Sequence, residues 1–200
     1  MPRIRNPKQT RRGILQAAFE NIHRHGFQAA GLSDILATTG LTKGALYHHF
    51  PNKAALGHAV IDEVLKGYVE TWWLAPLETS EDTVGVLIGL IDIQVHTDLE
   101  SLIELGCPLN NLSQEMSALD EGFRQRIDGL YKFWRKSLER ALRRGQQRGL
   151  VLGDIDADQA AVFFIAALAG GFGQAKAAQS RDVFRECMGG LAHYLVMLRA

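Results

Sequence analysis

The stretch from Leu32 to Phe50 constrains this chain more than any other. Leu32, Ile35 and Leu36 recur at helical spacing, Thr39-Gly40 breaks the pattern, and Thr42 can cap a second helix with its hydroxyl. Two short helices joined by a tight glycine-containing turn predict a helix-turn-helix. On the second helix Ala45, Leu46 and Phe50 are expected to face inward. Thr42, Lys43, Gly44, Tyr47, His48 and His49 are left mostly outside. Upstream, Ile14, Leu15, Ala18, Phe19 and Ile22 predict an amphipathic helix from Lys8 to about His25, ended by Gly26. Downstream, Asn52 is placed to cap a helix that starts at Lys53 and runs to about Trp73.

The outward set suits DNA. A helix that starts with small residues can approach base edges, and the flanking groups can bind phosphate. Charge agrees. Lys and Arg balance Asp and Glu at 22 each, but residues 1–53 hold eight bases (Arg3, Arg5, Lys8, Arg11, Arg12, Arg24, Lys43, Lys53) against Glu20 and Asp34. That segment is therefore +6 and the remainder −6. A basic head on an acidic body fits a DNA-binding segment attached to a part that avoids DNA. Within the terminal arm, Arg3 and Arg5 can enter a minor groove, touch phosphates, or belong to a tail without a role.

The run Thr42-Lys43-Gly44-Ala45-Leu46-Tyr47-His48-His49-Phe50, followed by Asn52-Lys53-Ala54-Ala55-Leu56, resembles the signature of the TetR/AcrR family of bacterial transcriptional regulators. The specific match spans about Ile14 to Leu56. The resemblance implies an all-α fold, with an N-terminal three-helix helix-turn-helix head at 1–53 and a helical ligand-binding and dimerisation body at 54–200. It also implies that the helix from Lys53 joins head to body, so that a shift in the body moves the recognition helix. One departure is Ala30-Gly31, where family members usually carry Thr or Ser to cap the next helix. The cap there is expected to be weaker by up to about 1 kcal/mol.

The body is expected to begin around Pro76. Thr79 to Asp82 supply a cap for a helix through Val84, Leu87, Ile88, Ile91 and Val95. Leu99 to Leu105 is a short apolar segment, and Leu109 to Met116 a further helix. Asp120 to Arg148 reads as one long helix stopped by Gly149, with Phe123, Ile127, Leu130, Tyr131, Trp134, Leu138, Ala141 and Leu142 on one face. Its closing cluster of Arg140, Arg143, Arg144 and Arg148 suits the negative end of a helix rather than a second DNA site. Asp156 to Ala178, weakened at Gly170-Gly171-Phe172-Gly173, and Ser180 to Arg199 complete the set. Their apolar faces either form a homodimer interface through residues 156–199 or complete the monomer core.

Little else in the chain points to chemistry. It has no GxxxxGK loop and no strand followed by GxGxxG, so an α/β enzyme is disfavoured and no enzyme activity is expected. His23 and His25 face apart and His48 and His49 are adjacent, so neither a metal nor another cofactor is anticipated. No uncharged apolar run of membrane-spanning length and no signal peptide are read, and the expected place is the bacterial cytoplasm, at the nucleoid.

Cys107 precedes Pro108, a helix-start signal, and a thiol near a helix N-terminus is biased toward thiolate. The block Gly106 to Ser113 also resembles a segment of a subgroup of the family, some members of which sense electrophiles or oxidants through cysteine; Pro108 and Asn110 are where it departs. Cys107 is thus either a sensor or a buried inert thiol, and Cys187 a core thiol. Lys176 would depress the Cys107 pKa if its helix packs alongside. The family places an effector pocket in the body, and Trp72, Phe123, Tyr131, Trp134 and Phe172 are candidate lining residues or else core.

These expectations converge on a homodimeric repressor that occupies a palindromic operator, with Thr42, Lys43 and Gly44 at or near the bases and Tyr47, His48 and Lys53 on phosphates. A small-molecule effector or Cys107 modification would release it. An activator with the same head, or a thiol-dependent enzyme, are the rivals.

Overall fold

The computed structural model describes residues 7–96 and 100–200, which form ten helices and no β-strand. Arg3, Arg5 and Leu99 lie outside the described residues. The chain divides into two compact units, Met1–Gly67 with Asn111–Leu130, and Tyr68–Asn110 with Tyr131–Ala200. The first contains the residues expected of the head and adds two segments that follow them in sequence.

In the first unit, α1 (Pro7–His25) packs on α2 (Leu32–Thr39), and α3 (Lys43–His49) follows after Gly40, whose φ of 62° makes the tight turn. Ile14, Ala18, Ile35, Leu46 and Phe50 are each at most 2% exposed and seal the helices from within. Helix α4 (residues 53–78) is capped by Asn52, whose Oδ1 accepts the Ala55 N–H at 2.7 Å. Arg11 on α1 forms a bidentate pair with Glu63 on α4, and its guanidinium stands 5.0 Å over the Phe50 ring at the end of α3.

Helix α4 is an unbroken right-handed run over residues 53–78, with wider π turns at Val60–Leu65 and Val69–Leu74. It therefore passes the expected end at Trp73, and Pro76 does not stop it. The Ala75 N–H reaches back five residues to Glu70 O, and this widened turn makes room for the proline ring.

In the second unit, α5 (Thr83–His96) is capped from within the expected Thr79–Asp82 block by Asp82, whose Oδ1 accepts the Gly85 N–H at 2.8 Å. A short helix α6 (Glu100–Leu105) takes the place of a plain apolar segment, and α7 (Pro108–Met116) follows. The long helix α8 (Glu121–Gln147) presents the expected apolar face. Its Trp134, 4% exposed, lies 5.7 Å from Trp73, which meets Phe164 at 5.6 Å. The arginines at its end are engaged within the protein: Arg143 by Glu139 one turn back, Arg144 by Leu77 O and Arg148 by Glu81.

Helices α9 (Ala157–Ala178) and α10 (Arg181–Val196) pack lengthwise on each other. The expected weakness at Gly170 to Gly173 does not break α9. A Cβ on Gly171 would meet Met188 Cε at 2.6 Å, so the glycine there serves close packing of α10 rather than a bend. By length and composition α9 is apolar enough to cross a membrane, yet half of that window is buried inside the fold.

Candidate DNA-binding head and effector region

Helix α3 is held by its own sequence. Thr42 Oγ1 accepts the Ala45 N–H at 3.3 Å, and Phe50 N–H closes the last turn on Leu46 O at 2.9 Å. With Leu46 and Phe50 inside, Thr42, Lys43, Gly44, Tyr47 and His48 stand exposed on one surface. Lys43 Nζ lies 5.9 Å over the Tyr47 ring, which steers both side chains. A Cβ on Gly44 would touch nothing within 4 Å, so the packing of the chain itself does not require glycine there. Beside this surface an open cleft of about 350 Å³ is lined by Pro7 and Thr10 of α1, the Gly40-Leu41-Thr42 turn, Ala45, His48 and His49.

Lys53 is less free than expected for a phosphate contact. Its ammonium donates to Gln28 O at 2.9 Å and sits 4.9 Å over the Phe27 ring. An ammonium carries three donors, so this bond leaves others for a phosphate. As anticipated at Ala30-Gly31, α2 starts at Gly31 with no side-chain cap.

The candidate effector residues do not all converge. Phe123 belongs to the first unit, fully buried 4.4 Å from Phe27 and 4.7 Å from His58. Phe172 packs against Phe184 with the rings tilted and 4.8 Å between centroids, and Lys176 is exposed on α9. What the second unit does bring together is Cys107, Tyr131 and Tyr68, the last of which sequence reasoning missed. A tyrosine five residues before the expected helix end carries no mark of its own. Tyr68 stacks on Trp72, with 6.3 Å between centroids.

Of the two readings of Cys107, its surroundings favour the protonated thiol. Its sulfur does receive the backbone N–H groups of Asn110 and Leu109 at the start of α7, which favour the anion. Enclosure by protein nonetheless outweighs them and pushes the thiol up. These amides, not Lys176, are the groups that offset burial. Burial first and the neighbouring Cys107 second push Tyr68 up to about 12, and the same two causes raise Tyr131. At neutral pH the three groups are therefore protonated donors. The indole nitrogens of Trp72 and Trp134 and Oε1 of Gln94 are buried without a hydrogen-bond partner among the described residues.

A basic helix-turn-helix with an exposed recognition surface and a separate helical unit with unmet polar groups define a DNA-binding transcriptional regulator. The chain belongs to the TetR family. Residues 14–60 match "Bacterial regulatory proteins, tetR family" and residues 87–191 match "Tetracyclin repressor-like, C-terminal domain". It is 30% identical over 135 residues to an uncharacterized HTH-type transcriptional regulator in the lacX 3' region of Lactococcus lactis, covering 68% of this chain and 69% of the relative. It is 25% identical to the HTH-type transcriptional repressor DhaR of a Mycobacterium species, over 86% and 85% of the two chains. Its fold matches the crystal structure of a TetR transcriptional regulator from Chloroflexus aurantiacus with a TM-score of 0.82, at 26% identity, over 96% and 97% of the two chains.

Proposed function

We propose that this protein is a homodimeric repressor that occupies a palindromic operator and is released when a small molecule binds in its helical body. The observation that carries the reading is the surface of α3, where capping and burial of Leu46 and Phe50 leave a row of small, cationic and hydroxyl groups free. In this reading Thr42, Lys43 and Gly44 approach base edges, and Tyr47, His48 and Lys53 hold phosphates, with Arg3 and Arg5 available to the adjacent groove. The DNA-binding domain proper is residues 1–53 and the regulatory domain 54–200, with the protein acting in the cytoplasm at the nucleoid. Phe163 and Tyr194, packed at 4.5 Å, with Phe163 49% exposed, supply an apolar patch on α9 and α10 for the partner subunit.

The groups around Cys107 are neutral donors, so the effector that suits them is an uncharged molecule with an apolar body and oxygen acceptors. Trp72, stacked on Tyr68, and Tyr131 belong to this region, Trp134 offers an unpartnered indole N–H beside Trp73, and Phe123, Phe172 and Lys176 serve packing or solvation. Release by Cys107 modification needs a thiolate that burial opposes, so effector binding leads and thiol chemistry follows.

Selection of duplexes from a random pool by the full-length protein tests the reading. The expected product is a palindrome whose half-sites lie about 34–36 Å apart, or a multiple of that. Recovery of no sequence at moderate salt overturns it. Alkylation of Cys107 in a Cys187→Ser background tests the thiol route, and an alkylated protein with unaltered operator affinity excludes it.

A further inference from the structure

The turn between α1 and α2 is held by residues from outside the predicted head. Glu115, half-buried in the last turn of α7, accepts two backbone N–H groups with its two carboxylate oxygens: Phe27 N–H to Oε2 and Gln28 N–H to Oε1, both at 2.8 Å. Gly26 makes this approach possible. Its φ of 81° turns the chain so that consecutive amides point at one carboxylate, and a Cβ there would lie 3.0 Å from Oε2. On the carbonyl side, Lys53 donates to Gln28 O at 2.9 Å. Residue 28 is thereby gripped at its N–H by an acid and at its C=O by a base.

A second, independent observation gives this grip a purpose. Helix α2, the first helix of the helix-turn-helix, begins at Gly31 without a side-chain cap. With glycine at the N-cap position no side chain there fixes where it starts, and its approach is restrained by the Ala30 N–H to Gly26 O bond at 3.0 Å, by Lys53 on Gln28 O and by the pair of bonds to Glu115. Bonds from amides to a carboxylate are charge-assisted, stronger and better aimed than neutral ones.

We infer that Glu115 is a positioning residue for DNA recognition: it fixes the turn that leads into the uncapped start of α2 and so sets the angle at which the helix-turn-helix meets its operator. The inference rests on the DNA-binding reading above. It makes α7, far along the chain from residues 1–53, a working part of the DNA-binding head.

The test compares wild type with Glu115→Gln on the duplex that wild type selects and on an unrelated duplex of equal length. Glutamine keeps the shape but turns an NH2 toward one of the two amides. Specific affinity is expected to fall about tenfold, the scale of one charge-assisted bond, with non-specific affinity and the fraction of active protein unchanged. A merely destabilised variant would instead lose active protein and bind both duplexes less. Equal specific affinity in E115Q overturns the positioning role alone, whereas failure of wild type to select any duplex overturns the DNA-binding reading beneath it. Amide exchange in the wild-type protein needs no variant. Phe27 and Gln28 are expected to exchange at least tenfold more slowly than the adjacent exposed Ala29. Unprotected amides at both positions would overturn the inference even if E115Q failed to fold.

Discussion

Gly44 shows how a residue reveals its role by what it does not touch. A helical glycine with open space around it costs its own helix up to about 1 kcal/mol relative to alanine. Gly44→Ala is therefore expected to leave the melting temperature equal or higher while weakening operator binding; a variant that binds as tightly would remove Gly44 from the interface. His58 reports a different kind of information. It is 22% exposed at the side chain, with Nε2 3.8 Å from Asp120 Oδ1, beyond hydrogen-bond reach. Burial first and Arg126 second lower its pKa from the usual 6.5, outweighing the opposite pull of Asp120 and Asp62. The folded protein thus binds fewer protons here than the unfolded chain. The contribution is full above about pH 6.5 and is lost as the pH falls through the lowered folded value. Urea midpoints measured from pH 7.5 downward are expected to drop along this course, and His58→Gln to remove that part of the drop. An unchanged slope in H58Q would assign the loss to other groups.

Among the elements, the caps were legible and the continuations were not. Thr42 and Asn52 cap where their side chains predicted, because a cap is a local bond between residues three apart. Asn52→Ala is expected to cost about 1 kcal/mol in chemical denaturation, and a cost near zero would show that α4 is anchored by packing alone. By contrast, α4 runs past Pro76 and α9 past Gly170 to Gly173. A proline and a glycine cluster are breakers by local preference, but a π turn accommodates the first and the approach of Met188 exploits the second. Neither a widened turn nor a neighbouring helix is written in the residues beside the breaker. Cys107 follows the same logic: Pro108 correctly announced the start of α7, whereas the tyrosines that neighbour the thiol, Tyr68 and Tyr131, are distant in sequence.

For the whole molecule, the patch of Phe163 and Tyr194 carries the dimer prediction. Phe163→Glu is expected to give monomers in sedimentation and to reduce operator affinity by at least a hundredfold, since two linked heads gain from effective concentration. A dimeric F163E protein would move the interface elsewhere.

The sequence by itself determined the all-α class, the helix-turn-helix with its outward row of side chains, and the family, because these rest on short-range periodicity, capping and an ordered motif. Only the tertiary structure decided that Phe123 packs against Phe27 instead of joining Trp134, that Tyr68 and Tyr131 share Cys107, and that Glu115 grips the turn after α1. Those pairings join residues 24 to 96 positions apart, and they depend on how helices are laid against one another. Burial then sets which of the groups brought together keep their protons.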